Sequence, residues 1–178
     1  MPYQAPEDLP DIVIASRDLA SNLLRRSFVA FRHVISINDG DDHPPRVVQN
    51  RPGRNLILRF HDITHEDEDL VPPCGNDVAK IISFADGIQP QETVLVHCNA
   101  GISRSSAAAL TVIASMLEPT KKNAERAVEE LLRVKEAIRP NWLMVKFADE
   151  QLSYKGTLLG AYREAFGAGT NLLWLPVK

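Results

Sequence analysis

The 178-residue sequence predicts an α/β fold: one domain with a central, mainly parallel sheet of four or five strands flanked by helices. Three observations lead there. Short β-branched runs alternate with stretches of helical periodicity; one run, Thr93-Val94-Leu95-Val96, is almost wholly apolar, as in a strand covered on both faces; and a 44% hydrophobic content suits a single core.

Ile12–Ala15 reads as the first strand, residues 19–28 as a helix, and His33–Ile37 as a β-branched strand ending at the turn signal Asn38-Asp39-Gly40. Pro44, Pro45, Pro52 and Gly53 mark residues 41–54 as a surface loop. The third strand spans residues 55–60, followed by an acidic segment, 61–69, and Pro72-Pro73. Asn76 is placed to cap a helix carrying Val78, Ile81, Ile82 and Ala85 at 3.6-residue spacing, with Gly87 ending it. After the apolar strand, residues 105–116 are small or apolar, as in a buried helix. A helix over 123–138 follows, with Val128, Leu131, Leu132 and Lys135 on one stripe, and Pro140 separates it from another beginning near Asn141. The domain is expected to span residues 1–178, with a core over about 12–154 and an extension, 155–178, whose apolar Leu172-Leu173-Trp174-Leu175 must pack on the core or on a partner.

The formal net charge of −3 gives no basic footprint for nucleic acid and no attraction to an anionic membrane. No secretory leader or membrane span is visible, and two cysteines are too few for a disulfide framework. A cytoplasmic location is expected, where thiols stay reduced.

The chemistry concentrates at His97-Cys98-Asn99-Ala100-Gly101-Ile102-Ser103-Arg104-Ser105. A thiol at the carboxyl end of a central strand sits where α/β sheets place their ligands. Asn99, Ala100, Gly101, Ile102 and Ser103 can curl so that their backbone N–H groups face inward, and a helix starting near Arg104 adds its positive end. Gly101 supplies the φ > 0 position a closed anion loop needs. Arg104 offers a planar fork for two phosphate oxygens. These surroundings favour the thiolate, the nucleophilic form of cysteine. Ser105 is placed to donate a hydrogen bond to the sulfur, and His97 to orient the loop.

This segment resembles the signature loop of cysteine-based protein tyrosine phosphatases, most closely the dual-specificity subgroup, whose loops commonly read HCxxGxSRS. The segment from Leu56 to Ile88 resembles the strand, acidic loop and helix that precede that loop, and Arg139-Pro140-Asn141 with Gln151-Leu152 resembles its downstream elements. The wording is most similar to a bacterial group of predicted tyrosine phosphatases. The resemblance implies a metal-independent phosphatase without cofactor, acting on phosphomonoesters and foremost on protein phosphotyrosine. Its chemistry runs through a phosphocysteine on Cys98, with a phosphorylated protein or peptide as partner.

It also implies a general acid on the loop after the third strand. Strand register favours Asp62; Asp67 and Asp69, closer in sequence to Cys98, compete on spacing. Asn141 is expected to cap its helix, hydrogen-bond the phosphate loop, or both, with Arg139 in the same support. No metal site is expected from His61, Asp62, His65, Asp67 and Asp69, whose spacing fits no ligand motif. Cys74 reads as an ordinary thiol or as a partner for Cys98 under oxidation. Two rival functions stay open: a phosphoprotein-binding module without turnover, which the intact Cys98, Arg104 and Asp62 disfavour, and a phosphatase for lipids or small molecules. The uncharged loop interior favours protein substrates over the latter.

Overall fold

A computed structural model of the chain describes residues 4–26 and 30–167. Four strands, β1 (Asp11–Ser16), β2 (His33–Asn38), β3 (Arg54–Arg59) and β4 (Thr93–Cys98), form an entirely parallel sheet in the order β1-β4-β2-β3. Parallel neighbours need crossovers. These are supplied by α1 (Arg17–Arg26), the short α2 (Arg46–Gln49) and α3 (Gly75–Ala85). After β4 the chain runs through α4 (Arg104–Ser115), α5 (Lys121–Val134), α6 (Trp142–Gln151) and α7 (Thr157–Phe166).

The period-two alternation of the strands sorts their side chains into two cores. Ile12, Ile14, Ile35, Ile37, Val94, Val96 and Cys98 meet α3 to α7 on one face. Val13, Ala15, Val34 and Leu95 meet Ala20, Leu24 and Val48, from α1 and α2, on the other. The central helix α4 buries every residue from Arg104 to Ala114, and the run Ala107-Ala108-Ala109 lets it lie close against its neighbours.

Several local expectations are corrected. The 41–54 segment is not all loop: α2 sits within it, and Arg54 already belongs to β3. Helix α3 starts one residue before Asn76, and Cys74 takes the N-cap. The Cys74 backbone N–H and thiol both point at Asp77 Oδ2, each at 3.1 Å. Helix α5 begins after Thr120, whose hydroxyl accepts from the Asn123 N–H, and stops at Val134, short of residue 138. Glu130, outside the apolar stripe of α5, is nonetheless buried and pairs with Arg133.

Within the extension, α7 packs on α5 and α6 through Leu158, Ala161 and Tyr162, whose hydroxyl donates to the Pro140 carbonyl at 3.1 Å. The apolar run 172–175 lies outside the described residues. Among the described residues no helix is long and apolar enough to cross a membrane.

Candidate active site

All four strands of a parallel sheet end on the same side, so the residues following them converge. Here that edge gathers Cys98 from β4, Arg17 after β1, Asp39 after β2 and Asp62 after β3. Their separation in sequence hides this proximity; the topology creates it.

Cys98 ends β4 at 1% exposure. Its Sγ lies 3.2 Å from Ser105 Oγ and receives the Gly101 N–H at 3.3 Å. The loop 99–103 thus curls back over the sulfur, and Gly101 makes the closure possible. It takes φ +72°, and a Cβ there would fall 2.5 Å from both Ala15 C and Ser16 N, the end of β1.

The outer side of the loop is braced from several directions. Arg17 N–H donates to Asn99 O at 3.1 Å, Lys135 Nζ to Gly101 O at 2.8 Å, Arg139 N–H to Ile102 O at 3.1 Å and Asn141 N–H to Ser103 O at 3.2 Å. Ser106 Oγ also donates to Ser103 O at 2.9 Å. With its carbonyls satisfied outward, the loop is held in one conformation. Arg139 contributes here through its backbone, its side chain being exposed. Ala100 and Ile102 lie on the exposed mouth, Ile102 at 41% exposure.

Arg104 opens α4 and is 3% exposed. Its Nη1 donates to Asp39 Oδ1 at 2.5 Å and to the Phe60 carbonyl at 2.7 Å, while Nε lies 3.9 Å from Asp62 Oδ2. The Asp62 Oδ1 accepts from Ser103 Oγ at 2.7 Å and from Asn141 Nδ2 at 2.9 Å. Asn141 therefore does more than was expected of it. Its Oδ1 accepts from the Met144 N–H and caps α6, its backbone holds the loop, and its Nδ2 ties down Asp62 and also reaches Ile63 O at 3.3 Å.

Asp67 Oδ1 accepts the N–H groups of Asp69 and Leu70, at 2.9 and 3.1 Å, and closes an exposed turn. This acidic segment returns to the sheet through His61 and Val71, whose N–H donates to His61 Nδ1 at 2.9 Å while the His61 N–H donates to Val71 O at 2.7 Å.

His97 faces away from Cys98 because adjacent strand residues point to opposite faces. It is fully buried, and neither ring nitrogen has a hydrogen-bond partner. Burial pushes its pKa from 6.5 down to about 4, against an opposing influence of the Cys98 backbone, and the Arg17 cation depresses it further. The ring is neutral at physiological pH.

Sequence reasoning missed Asp39, Arg17 and Lys135 as neighbours of the loop. Asp39 was visible only as a turn residue, and Lys135 only as a member of a helical stripe, whereas α5 ends one residue before it. Arg17 holds the 38–43 segment through Asn38 Oδ1 (3.4 Å), Asp42 Oδ2 (3.3 Å) and His43 O (2.6 Å). Cys74 is exposed, with its thiol on Asp77, and both it and the buried Cys98 are free thiols. Among the described residues no group of three His, Cys, Asp or Glu side chains is arranged to hold a metal ion. A cavity of about 430 Å³ between α6 and α7, lined by Lys146, Asp149, Glu150, Lys155 and Leu159, includes no residue of the Cys98 loop.

Solved phosphatase structures share this architecture. The Yvh1 phosphatase domain from Chaetomium thermophilum superposes with a TM-score of 0.54 at 18% identity, covering 87% of this chain and 96% of its own. The Cydia pomonella PTP-2 phosphatase gives 0.52 at 21% identity, covering 79% and 84%. PTPMT1 in complex with PI(5)P gives 0.50 at 17% identity, covering 82% and 94%. At such identities the likeness is one of fold. No curated protein matches the chain by sequence. Residues 16–149, which contain the loop, Asp62 and Asn141, match the family described as dual specificity phosphatase, catalytic domain. The chain belongs to that family.

Proposed function

We propose that the chain hydrolyses phosphomonoesters, phosphotyrosine on proteins foremost, through a phosphocysteine on Cys98 with Asp62 as general acid and base. One observation carries this reading: Cys98 Sγ receives the Gly101 N–H from the loop that curls back over it and ends at Arg104, while Asp62 is tethered to that same loop through Ser103.

The dianionic phosphate enters the loop 99–103, where the backbone amides and the Arg104 guanidinium take its oxygens. The Cys98 thiolate attacks phosphorus in line. The S–P bond forms as the P–O bond to the leaving group breaks, and protonated Asp62 gives its proton to the departing oxygen. Asp62, now a carboxylate, takes a proton from water as that water attacks phosphorus. The S–P bond breaks, and Ser105 Oγ, 3.2 Å away, donates a hydrogen bond to the returning thiolate. The hydrogen bonds from Ser103 and Asn141 occupy Oδ1 of Asp62 and leave Oδ2 to carry the proton.

Hydrolysis of an aryl phosphate in the presence of EDTA, blocked by vanadate and abolished in Cys98→Ser, is the expected result; wild-type turnover by that variant contradicts the mechanism. For the acid, Asp62→Asn should remove the limb of the pH–rate profile that requires a protonated acid, and Asp67→Asn should leave it intact. Substrate class is read from a panel of phosphotyrosine, phosphoserine and phosphothreonine peptides beside phosphoinositides. The uncharged Asn99, Ala100, Ile102 and Ser103 favour the peptides. PTPMT1, solved with PI(5)P, makes the phosphoinositide arm necessary, and preferential turnover there would overturn the choice of protein substrates.

A further inference from the structure

A guanidinium has two usable edges, and a phosphate loop works only if the right one faces the anion. In this chain the choice is made before any ligand arrives. Both hydrogens of Arg104 Nη1 are engaged, one by Asp39 Oδ1 at 2.5 Å and one by the Phe60 carbonyl at 2.7 Å. The opposite edge, Nε with Nη2, remains, and Nε is buried without a hydrogen-bond partner. A buried donor with no partner is costly to leave unmade, and an incoming phosphate oxygen would supply the acceptor.

Asp39 is itself held from below. Asn38, 1% exposed, donates through Nδ2 to Leu58 O at 3.4 Å and to Ser36 Oγ at 3.1 Å, which fixes the exit of β2. The Phe60 N–H donates to Asn38 O at 3.0 Å, so the two groups that grip Nη1 belong to one hydrogen-bonded unit at the ends of β2 and β3. Arg17 anchors the following turn through Asp42 and His43.

We infer that Asp39 is a positioning residue: with the Phe60 carbonyl it clamps Nη1 of Arg104 so that the Nε–Nη2 edge is presented to the phosphoryl group. The inference rests on the phosphatase reading above and adds a residue to it. Asp39 touches no reacting atom. It opposes Arg104 in charge yet supports it in geometry, and these two effects predict opposite outcomes when it is removed.

Asp39→Ala and the isosteric Asp39→Asn separate them, each compared with the wild type at a matched folded fraction. The readouts are kcat and KM for an aryl phosphate, and the inhibition constants of vanadate and inorganic phosphate. Positioning predicts that Asp39→Ala lowers kcat/KM by about 10- to 100-fold, mostly in kcat, as expected for a reacting group displaced by about 1 Å. Vanadate, which occupies transition-state geometry, should weaken more than phosphate. Asp39→Asn keeps an acceptor oxygen at the same reach and should stay within a few-fold of wild type. If both variants bind vanadate and phosphate more tightly, Asp39 acts only by neutralising Arg104 and the assignment is overturned. Unchanged constants in both variants overturn it as well. A wild type that neither hydrolyses aryl phosphate nor binds vanadate overturns the proposed function, and this assignment with it.

Discussion

Adding one methyl group at Gly101 should disable the site. The position adopts φ +72°, which costs a non-glycine residue of order 1–3 kcal/mol. The new Cβ would also lie 2.5 Å from Ala15 C and Ser16 N and 2.6 Å from Ala15 O. All three are backbone atoms at the end of β1, where no side chain can swing aside. Restoring an ordinary carbon contact of about 3.5 Å requires the loop to withdraw by roughly 1 Å. That shift pulls the Gly101 N–H away from Cys98 Sγ, now 3.3 Å distant, and strains the 2.8 Å bond from Lys135 to Gly101 O. Strain and overpacking together destabilise by about 2–4 kcal/mol, a fall in Tm of roughly 5–15 °C for a domain of this size. On the proposed function, misplacing the loop amides by 1 Å should cost about 100-fold in kcat/KM. Thermal denaturation and aryl phosphate kinetics of Gly101→Ala measure both. Gly160→Ala is the control: it lies in α7 with nothing within 4 Å of the added methyl, and should be neutral or stabilising by up to about 1 kcal/mol. If Gly101→Ala keeps wild-type Tm and turnover, the closed-loop geometry described here is wrong.

Two further outcomes follow from the surroundings of the loop. Asn141→Ala removes the cap on Met144 N–H and the tether on Asp62, and should cost about 1–2 kcal/mol in urea unfolding together with a loss of kcat. Asn141→Asp keeps the cap acceptor while setting a carboxylate against Asp62, so it should retain stability and lose turnover; equal effects of the two variants on both readouts would contradict the dual role. His97, neutral and buried with its pKa near 4, makes stability depend on pH. Below 6.5 the unfolded chain binds a proton that the folded chain refuses until about pH 4. Stability should therefore fall by up to about 3 kcal/mol as pH drops through that window, and stay flat on this account above it. The slope of unfolding free energy between pH 7 and 4.5 should be shallower in His97→Asn than in wild type, and identical slopes would refute the assignment.

The loop from Cys98 to Ser105 stood out as a candidate site because its residues are contiguous: cysteine, glycine, arginine and serine follow one another along the chain. The place of Asp62 beside that loop follows from strand register, since it comes almost at once after β3. The place of Asp39 was not legible, because the contact that matters to it comes from Arg104, brought alongside by a sheet order that no local pattern encodes. Lys135 followed the apolar period of α5, but the helix ends before it, and its ammonium turns to Gly101 instead. Glu130 lies off the apolar stripe, and only the packing of α5 shows it buried. At the start of α3, propensity favoured Asn76 as the cap; the carboxylate of Asp77 reaches back to Cys74, and the cap lies two residues earlier. Local chemistry was readable, whereas contacts set by sheet order were not.

The proposed mechanism requires a covalent bond between Cys98 and phosphorus. Ser105→Ala removes the hydroxyl 3.2 Å from Sγ and should slow the return of the thiolate more than its attack, so the intermediate accumulates. Mixing that variant with an aryl phosphate, quenching within one turnover and mapping the phosphorylated peptide by mass spectrometry should place one phosphoryl group on Cys98. A phosphoryl group on any other residue, or aryl phosphate turnover with no phosphorylated Cys98 at any quench time, would contradict it.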